Sequence, residues 1–156
     1  MNAIAPIYVG QFQDGVVWVR VEGKGSFQNS PELKEFALHM IKRGATKFVI
    51  DLENCPVMDS TFMGTLVGIV KHQDPDRESS FEILNANARN LQLIQSLGLD
   101  QLLTLDADGS KWPDIRNQVP ALIENGNPLE HIDLEKRENN AHVLEAHQQL
   151  SATSGE

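Results

Sequence analysis

The feature that most constrains the fold is a regular alternation of short apolar runs with segments whose apolar residues recur at helical spacing. The first two runs, Ile4 to Val9 and Val16 to Val21, flank the turn signal Asp14-Gly15 and predict a β-hairpin. Lys47 to Leu52 is nearly all apolar, which is typical of a strand buried on both faces. Two further runs predict strands: Phe81 to Leu84 and Leu102 to Leu105.

Three segments between these strands have the apolar spacing of amphipathic helices. The first begins at Ser30-Pro31-Glu32, where a capping hydroxyl, a proline at the first helical position and an early acid predict a helix start, and it ends at Gly44. Its apolar stripe consists of Leu33, Phe36, Ala37, Met40 and Ile41. The second helix follows Asp59, and the third covers Asn87 to Leu97.

The resulting element order, β-β-α-β-α-β-α-β, predicts an α/β fold, because alternating strands and helices require crossover connections. We expect a four- to five-stranded, mostly parallel (mixed) sheet with helices packed mainly on one face. The composition changes after Leu105: residues 107–156 hold nine acids and four Lys or Arg, a net of −5 within the −9 of the whole chain. We therefore predict a domain at residues 1–106 and an acidic, partly helical C-terminal extension at residues 107–156.

Two parts of the extension have apolar residues at helical spacing. Ile115, Val119, Leu122 and Ile123 predict a broken helix packed on the sheet. Asn140 to Leu150 predicts a further helix, whose apolar stripe is too thin to be stable alone. His142 and His147 lie on that helix, but their spacing of five places them on different sides of it, which disfavours a shared metal ion.

Charge and composition exclude several function classes. A net charge of −9 without any basic cluster disfavours direct binding to nucleic acid and to anionic membranes. No apolar run approaches the roughly 18 residues of a membrane span, and the first ten residues lack the pattern of a secretory signal. The single cysteine, Cys55, points weakly to a reducing compartment and is more simply a half-buried loop residue than a reactive thiol. We expect a cytoplasmic protein.

The most informative segment joins the third strand to the second helix and ends in Asp59-Ser60. This pair falls just past the carboxyl end of a buried strand, the edge of an α/β sheet where ligands and partners usually bind. An Asp-Ser pair there is most simply a helix cap. A phosphate on Ser60 would nevertheless be tolerated, because a helix N-terminus offers free N–H groups and a positive dipole end. Gly64, inside the helix, predicts the close approach of another element.

These residues also carry a family resemblance. Asp59-Ser60-Thr61-Phe62-Met63-Gly64, preceded by a Val-Ile-Asp-Leu strand, resembles the Asp-Ser-Ser-Gly-Leu-Gly signature of STAS domains, the anti-sigma factor antagonists and their relatives. Ser30-Pro31-Glu32-Leu33 looks like the start of that family's first helix. Asn85 to Leu105 looks like its last helix and strand. The resemblance covers roughly residues 3 to 106 in element order.

The resemblance implies a STAS-like fold and a regulatory protein, not an enzyme. In that family, the serine corresponding to Ser60 is phosphorylated by an anti-sigma factor that is also a serine-protein kinase, and a PP2C-type phosphatase removes the phosphate. The unmodified form binds the anti-sigma factor and frees sigma. ATP and a divalent metal belong to those partners, so no cofactor is expected in this chain. The implied partner-binding residues are Asp59, Ser60, Thr61, Met63, Gly64 and Ser26.

Two departures from the family pattern keep an alternative open. Ser26 stands where the family often has an acid in the loop after the second strand, and Phe62 replaces the first glycine of the signature, adding bulk beside Ser60. The alternative is a non-phosphorylated STAS scaffold or a subunit of a larger complex. Catalysis by Ser60 would need a histidine base, and His72 lies more than three helical turns away. The extension could regulate access to the site or contact a second copy in a homodimer.

Overall fold

The computed structural model describes residues 4–12, 15–106, 112–126 and 128–129. Its strands are β1 (Ile7–Phe12), β2 (Val16–Val21), β3 (Lys47–Asp51), β4 (Ser80–Leu84) and β5 (Thr104–Asp106). Its helices are α1 (Ser30–Lys42), α2 (Ser60–His72), α3 (Ala88–Ser96), α4 (Pro113–Arg116) and α5 (Val119–Asn125). A single 3-10 turn, Leu99–Gln101, joins α3 to β5.

The five strands form one sheet in the order β1-β2-β3-β4-β5. β1 and β2 are antiparallel, with Phe12 opposite Val16, and all other neighbours are parallel. The predicted hairpin and the predicted mixed, mainly parallel α/β sheet are therefore confirmed. Because strands β2 to β5 run in the same direction, their carboxyl ends share one edge of the sheet.

One face of the sheet packs against α1, α2 and α3. Alternate strand residues such as Val17, Val19 and Ile50 point to this face, where they meet the buried stripes of the helices. The stripe of α1 consists of Leu33, Phe36, Ala37 and Met40, and that of α2 consists of Phe62, Met63, Leu66 and Ile69. The helical spacing in the sequence predicted this packing. Within the described residues, no helix combines the length and the apolar character needed to cross a bilayer.

The other face of the sheet is covered by the short helices α4 and α5. Their residues Ile115, Val119 and Leu122 are buried against the intervening strand residues Phe12, Val16, Trp18, Val49 and Leu84. The predicted broken helix thus exists, and it supplies the second layer that a strand buried on both faces requires. The helix predicted at Asn140 to Leu150, with His142 and His147, lies outside the described residues. The domain boundary at residue 106 stays a prediction.

The start of α1 differs from the prediction. Ser30 is buried in the first turn and is not the cap; the cap position belongs to Asn29, whose side chain makes no capping hydrogen bond. The Asn29 side chain is used instead to close the loop before the helix. Gly44 ends the helix as predicted, with a φ of 104° that favours glycine and its N–H bonded to the Ile41 carbonyl over 2.9 Å.

Candidate functional site

Ser60 is the first residue of α2 and is exposed. The chain reaches it from the carboxyl end of β3 through an extended Asp59, whose Oδ1 accepts a hydrogen bond from the Phe62 N–H over 2.8 Å. This is a side-chain N-cap, as the sequence predicted. Ser60 is thus an exposed residue at the positive end of a helix of 13 residues.

The second oxygen of the Asp59 carboxylate binds a different part of the chain. Asp59 Oδ2 accepts a hydrogen bond from the backbone N–H of Phe27 over 3.0 Å. Two backbone bonds reinforce the contact: the Asp59 N–H donates to the Gly25 carbonyl over 2.8 Å, and the Gly25 N–H donates to the Val57 carbonyl over 3.0 Å. The loop at residues 22–29, which we call the β2–α1 loop, is therefore joined to the start of α2.

The β2–α1 loop is held in shape by buried polar side chains. The Ser26 Oγ accepts from the Gln28 N–H over 3.1 Å, and the Ser26 N–H donates to Asn29 Oδ1 over 2.9 Å. Asn29 Nδ2 donates to the carbonyls of Ala5 and Lys24, each over 3.1 Å. Ser26 itself is buried, so it shapes the loop from inside and does not reach the exposed surface.

Phe27 is the residue of this loop that sequence reasoning missed. Its side chain is 64% exposed, more than the other exposed large apolar side chains of the described residues. Its backbone is bonded to the residue next to Ser60. The available signal was a large aromatic residue within the polar run from Gly23 to Asn29, but the contact with Asp59 spans 32 residues and has no local sequence pattern.

The residues predicted to form the site separate into two groups. Asp59, Ser60, Thr61 and Gly64 lie together at the start of α2, with Ser60, Thr61 and Gly64 exposed. Met63 is fully buried in the core and does not reach this surface.

Phe62 is also fully buried, so the expectation that its bulk lies beside Ser60 is wrong. Its ring packs under Gly25, where an added Cβ would come within 2.8 Å of the ring.

Gly64 has open space around it. Among the described residues, a Cβ at this position would meet no atom of another element within 4 Å, so the close approach of a neighbouring element that the sequence predicted is not found there. Gly68, one turn further along α2, is similar. The two glycines leave a bare strip on the helix that begins at Ser60.

We expect Gly64→Ala to stabilise the isolated chain by about 1 kcal/mol, because alanine loses less conformational entropy in a helix and nothing obstructs its methyl group. Chemical denaturation monitored by circular dichroism measures the change. Gly68→Ala should behave alike. Gly98→Ala is the matched opposite, since a φ of 72° makes alanine unfavourable there by about 1 kcal/mol. A destabilised Gly64→Ala variant would contradict the open geometry.

The two reactive side chains considered besides Ser60 are a histidine and a cysteine. His72 is in the last turn of α2, where its Nδ1 is 2.8 Å from the Gly68 carbonyl oxygen. Cys55 is buried, and burial raises the pKa of its thiol, which disfavours the nucleophilic thiolate. The described part of the chain contains no group of three or more His, Cys, Asp or Glu residues that could hold a metal ion.

The carboxyl end of β3, from which the loop to Ser60 departs, is fixed by Asp51. Its Oδ2 accepts from Trp18 Nε1 over 3.2 Å and from an Arg20 guanidinium N–H over 3.1 Å. Its Oδ1 accepts from Asn85 Nδ2 over 3.2 Å and from the Glu53 N–H over 3.0 Å. This buried network lies on the face covered by α4 and α5, beside a cleft of about 610 Å³ that those helices also line.

The chain is similar to known proteins in sequence and in fold. The family model of the STAS domain matches residues 9–110. An anti-sigma-B factor antagonist of Staphylococcus aureus (strain NCTC 8325 / PS 47) is 32% identical over 91 residues, which are 58% of this chain and 83% of that relative.

Solved structures with low sequence identity show the same fold. An anti-sigma factor antagonist from Mycobacterium paratuberculosis has a TM-score of 0.59 at 20% identity, covering 79% of this chain and 99% of its own. The cell fate determinant SpoIIAA of Bacillus, in its phosphorylated form, has a TM-score of 0.56 at 17% identity, covering 72% of this chain and 98% of its own.

Proposed function

Because the chain belongs to the STAS domain family, we propose that it is an anti-sigma factor antagonist switched by phosphorylation of Ser60. In this proposal the unmodified chain binds a kinase-type anti-sigma factor through the exposed start of α2 and so frees sigma. The same partner phosphorylates Ser60 with its own ATP and divalent metal, and a PP2C-type phosphatase restores the unmodified form. This exchange would take place in the cytoplasm, without direct contact to nucleic acid.

One observation carries the proposal: the Ser60 hydroxyl is exposed at the capped N-terminus of α2. A kinase can reach a hydroxyl there without unfolding the chain. The phosphate would then lie near free backbone N–H groups and the positive end of the helix dipole, so the helix would tolerate it.

The surface around Ser60 explains why a phosphate would change binding. Both oxygens of the neighbouring Asp59 carboxylate already accept hydrogen bonds, and Phe27, Thr61 and Gly64 add no charge. A phosphate adds a charge of about −1.5 to −2 next to Asp59. The fold would be preserved while the surface seen by the partner became strongly negative. This combination of unchanged fold and changed charge suits a reversible binding switch.

We expect incubation with ATP and a kinase-type anti-sigma factor from the same genome to add one phosphate, and tandem mass spectrometry to assign it to Ser60. Ser60→Ala should accept none. Thr61→Val, which removes the adjacent exposed hydroxyl, should be phosphorylated like the unaltered chain. The proposal would fail if a kinase shown to be active on another substrate left the chain unmodified, or if the phosphate were found at another residue.

The scaffold alternative has lost part of its basis. It was favoured by the bulk of Phe62 and by the change at Ser26, but both side chains are buried and neither covers the Ser60 hydroxyl. A scaffold would bind its partner with the same affinity whatever the state of Ser60, and the phosphorylation assay and the Ser60 variants therefore distinguish the two functions.

A further inference from the structure

The hydrogen bonds of the β2–α1 loop fix a backbone shape that leaves one aromatic side chain exposed to solvent. Ser26 and Asn29 are buried and bind the loop backbone, while Phe27 between them is 64% exposed. The Phe27 N–H is bonded to Asp59 Oδ2, which fixes the aromatic residue beside the start of α2. An isolated exposed apolar residue needs no explanation, but the backbone of this one is hydrogen-bonded to the residue next to Ser60.

We propose that Phe27 is the apolar anchor of the partner-binding surface, and that Asp59 keeps it in its binding position. The inference rests on the proposed function, because the partner is the kinase-type anti-sigma factor. Aromatic anchors carry a large share of the affinity at protein interfaces when a pocket on the partner receives them. A loop that is already ordered loses little conformational entropy on binding. More of the free energy gained by burying the Phe27 ring therefore contributes to affinity.

The proposed role of Phe27 determines which feature the partner's surface must have. The kinase needs an apolar pocket for the Phe27 ring, placed next to the groove that receives Ser60. Gly25 contributes by lying flat on the Phe62 ring, since any side chain there would push the loop away from α2. The interface therefore has two parts, the bare start of α2 and the aromatic tip of the loop, and Asp59 bonds to both.

Phe27→Ala is expected to weaken binding to the kinase-type anti-sigma factor that phosphorylates Ser60 by at least about tenfold, measured by isothermal titration calorimetry. Phe27→Leu should recover part of the loss. Leu97→Ala is the matched control. Leu97 is also exposed (49%), but it lies at the C-terminal end of α3 and is not part of the proposed surface. Circular dichroism should show that all three variants fold, since neither side chain is part of the core.

Asp59→Asn tests the second half of the inference. Asparagine caps a helix as well as aspartate does, but its amide nitrogen cannot accept the Phe27 N–H. Amide hydrogen exchange at Phe27 should accelerate while that at Phe62 stays slow, and affinity for the kinase should fall. The inference is overturned if Phe27→Ala binds like the unaltered chain, or if Asp59→Asn frees the Phe27 amide without lowering affinity. Phosphorylation at Ser60 in the same samples shows whether the proposed function itself survives such a result.

Discussion

Ser60→Asp is expected to weaken binding to the kinase-type anti-sigma factor by at least about tenfold, whereas Ser60→Ala is expected to bind like the unmodified chain. A carboxylate at residue 60 would stand beside the Asp59 carboxylate on an exposed surface and would repel or fail to pair with a partner shaped for a hydroxyl. Removing the hydroxyl leaves the charge of that surface unchanged. Enzymatic phosphorylation should weaken binding further than Ser60→Asp, because phosphate carries more charge than a carboxylate.

The stability of the Ser60→Asp variant distinguishes a loss of binding from a loss of folding. An acid in the first turn of α2 interacts favourably with the helix dipole, so Ser60→Asp should raise the free energy of unfolding by about 0.3 to 1 kcal/mol. Weaker binding by a variant that is at least as stable cannot be attributed to unfolding. Calorimetric titration and chemical denaturation of the same samples measure the two quantities. Equal affinity of the unaltered chain, Ser60→Ala and Ser60→Asp would refute the charge switch and support the scaffold.

The elements of the fold could be predicted because their signals are local. Apolar spacing identified α1 and α2, and the turn signal before Val16 identified the hairpin. The apolar run of β3 predicted a strand buried on both faces, and the spacing of Ile115, Val119 and Leu122 predicted a broken helix packed on the sheet. That this helix covers the second face was learned from the structure. Each of these patterns lies within a few residues of the element that it predicts.

The candidate site could be predicted only in part, because its geometry depends on contacts between distant segments. The Asp59 cap of α2 has a local pattern, so Ser60 was correctly expected at an exposed helix start. The bond between Asp59 and Phe27 joins residues 32 apart and has no local pattern. The family resemblance pointed instead to Ser26, which is buried. Gly64 is another example. Glycine inside a helix lowers its stability, but the sequence alone does not show which contact, within this chain or with a partner, requires the absence of a side chain.

The buried carboxylate of Asp51 could not be predicted either, and its removal is expected to have the largest effect on stability. Asp51→Ala leaves the Trp18 and Asn85 N–H groups without their acceptor. It also leaves Arg20, whose side chain is only 10% exposed, with Glu22 as its close partner. Breaking a buried pair in this way costs about 3 to 5 kcal/mol, and the remaining Glu22 pair favours the lower end of that range.

Chemical denaturation of Asp51→Ala and Glu53→Ala tests this expectation with a matched pair. Glu53 also pairs with Arg20, but at 3.8 Å and with a side chain 58% exposed, so its removal should cost no more than about 1 kcal/mol. Similar losses in the two variants would show that the Asp51 network adds little. In the double variant Arg20→Met with Asp51→Ala, both members of the buried pair are removed together, while Glu22 keeps its hydrogen bond from Asn54 Nδ2, so the loss should be smaller than the sum of the two single losses. Because Asp51 ends β3 and its Oδ1 accepts a hydrogen bond from the Glu53 N–H, the same network also fixes the start of the loop that leads to Ser60.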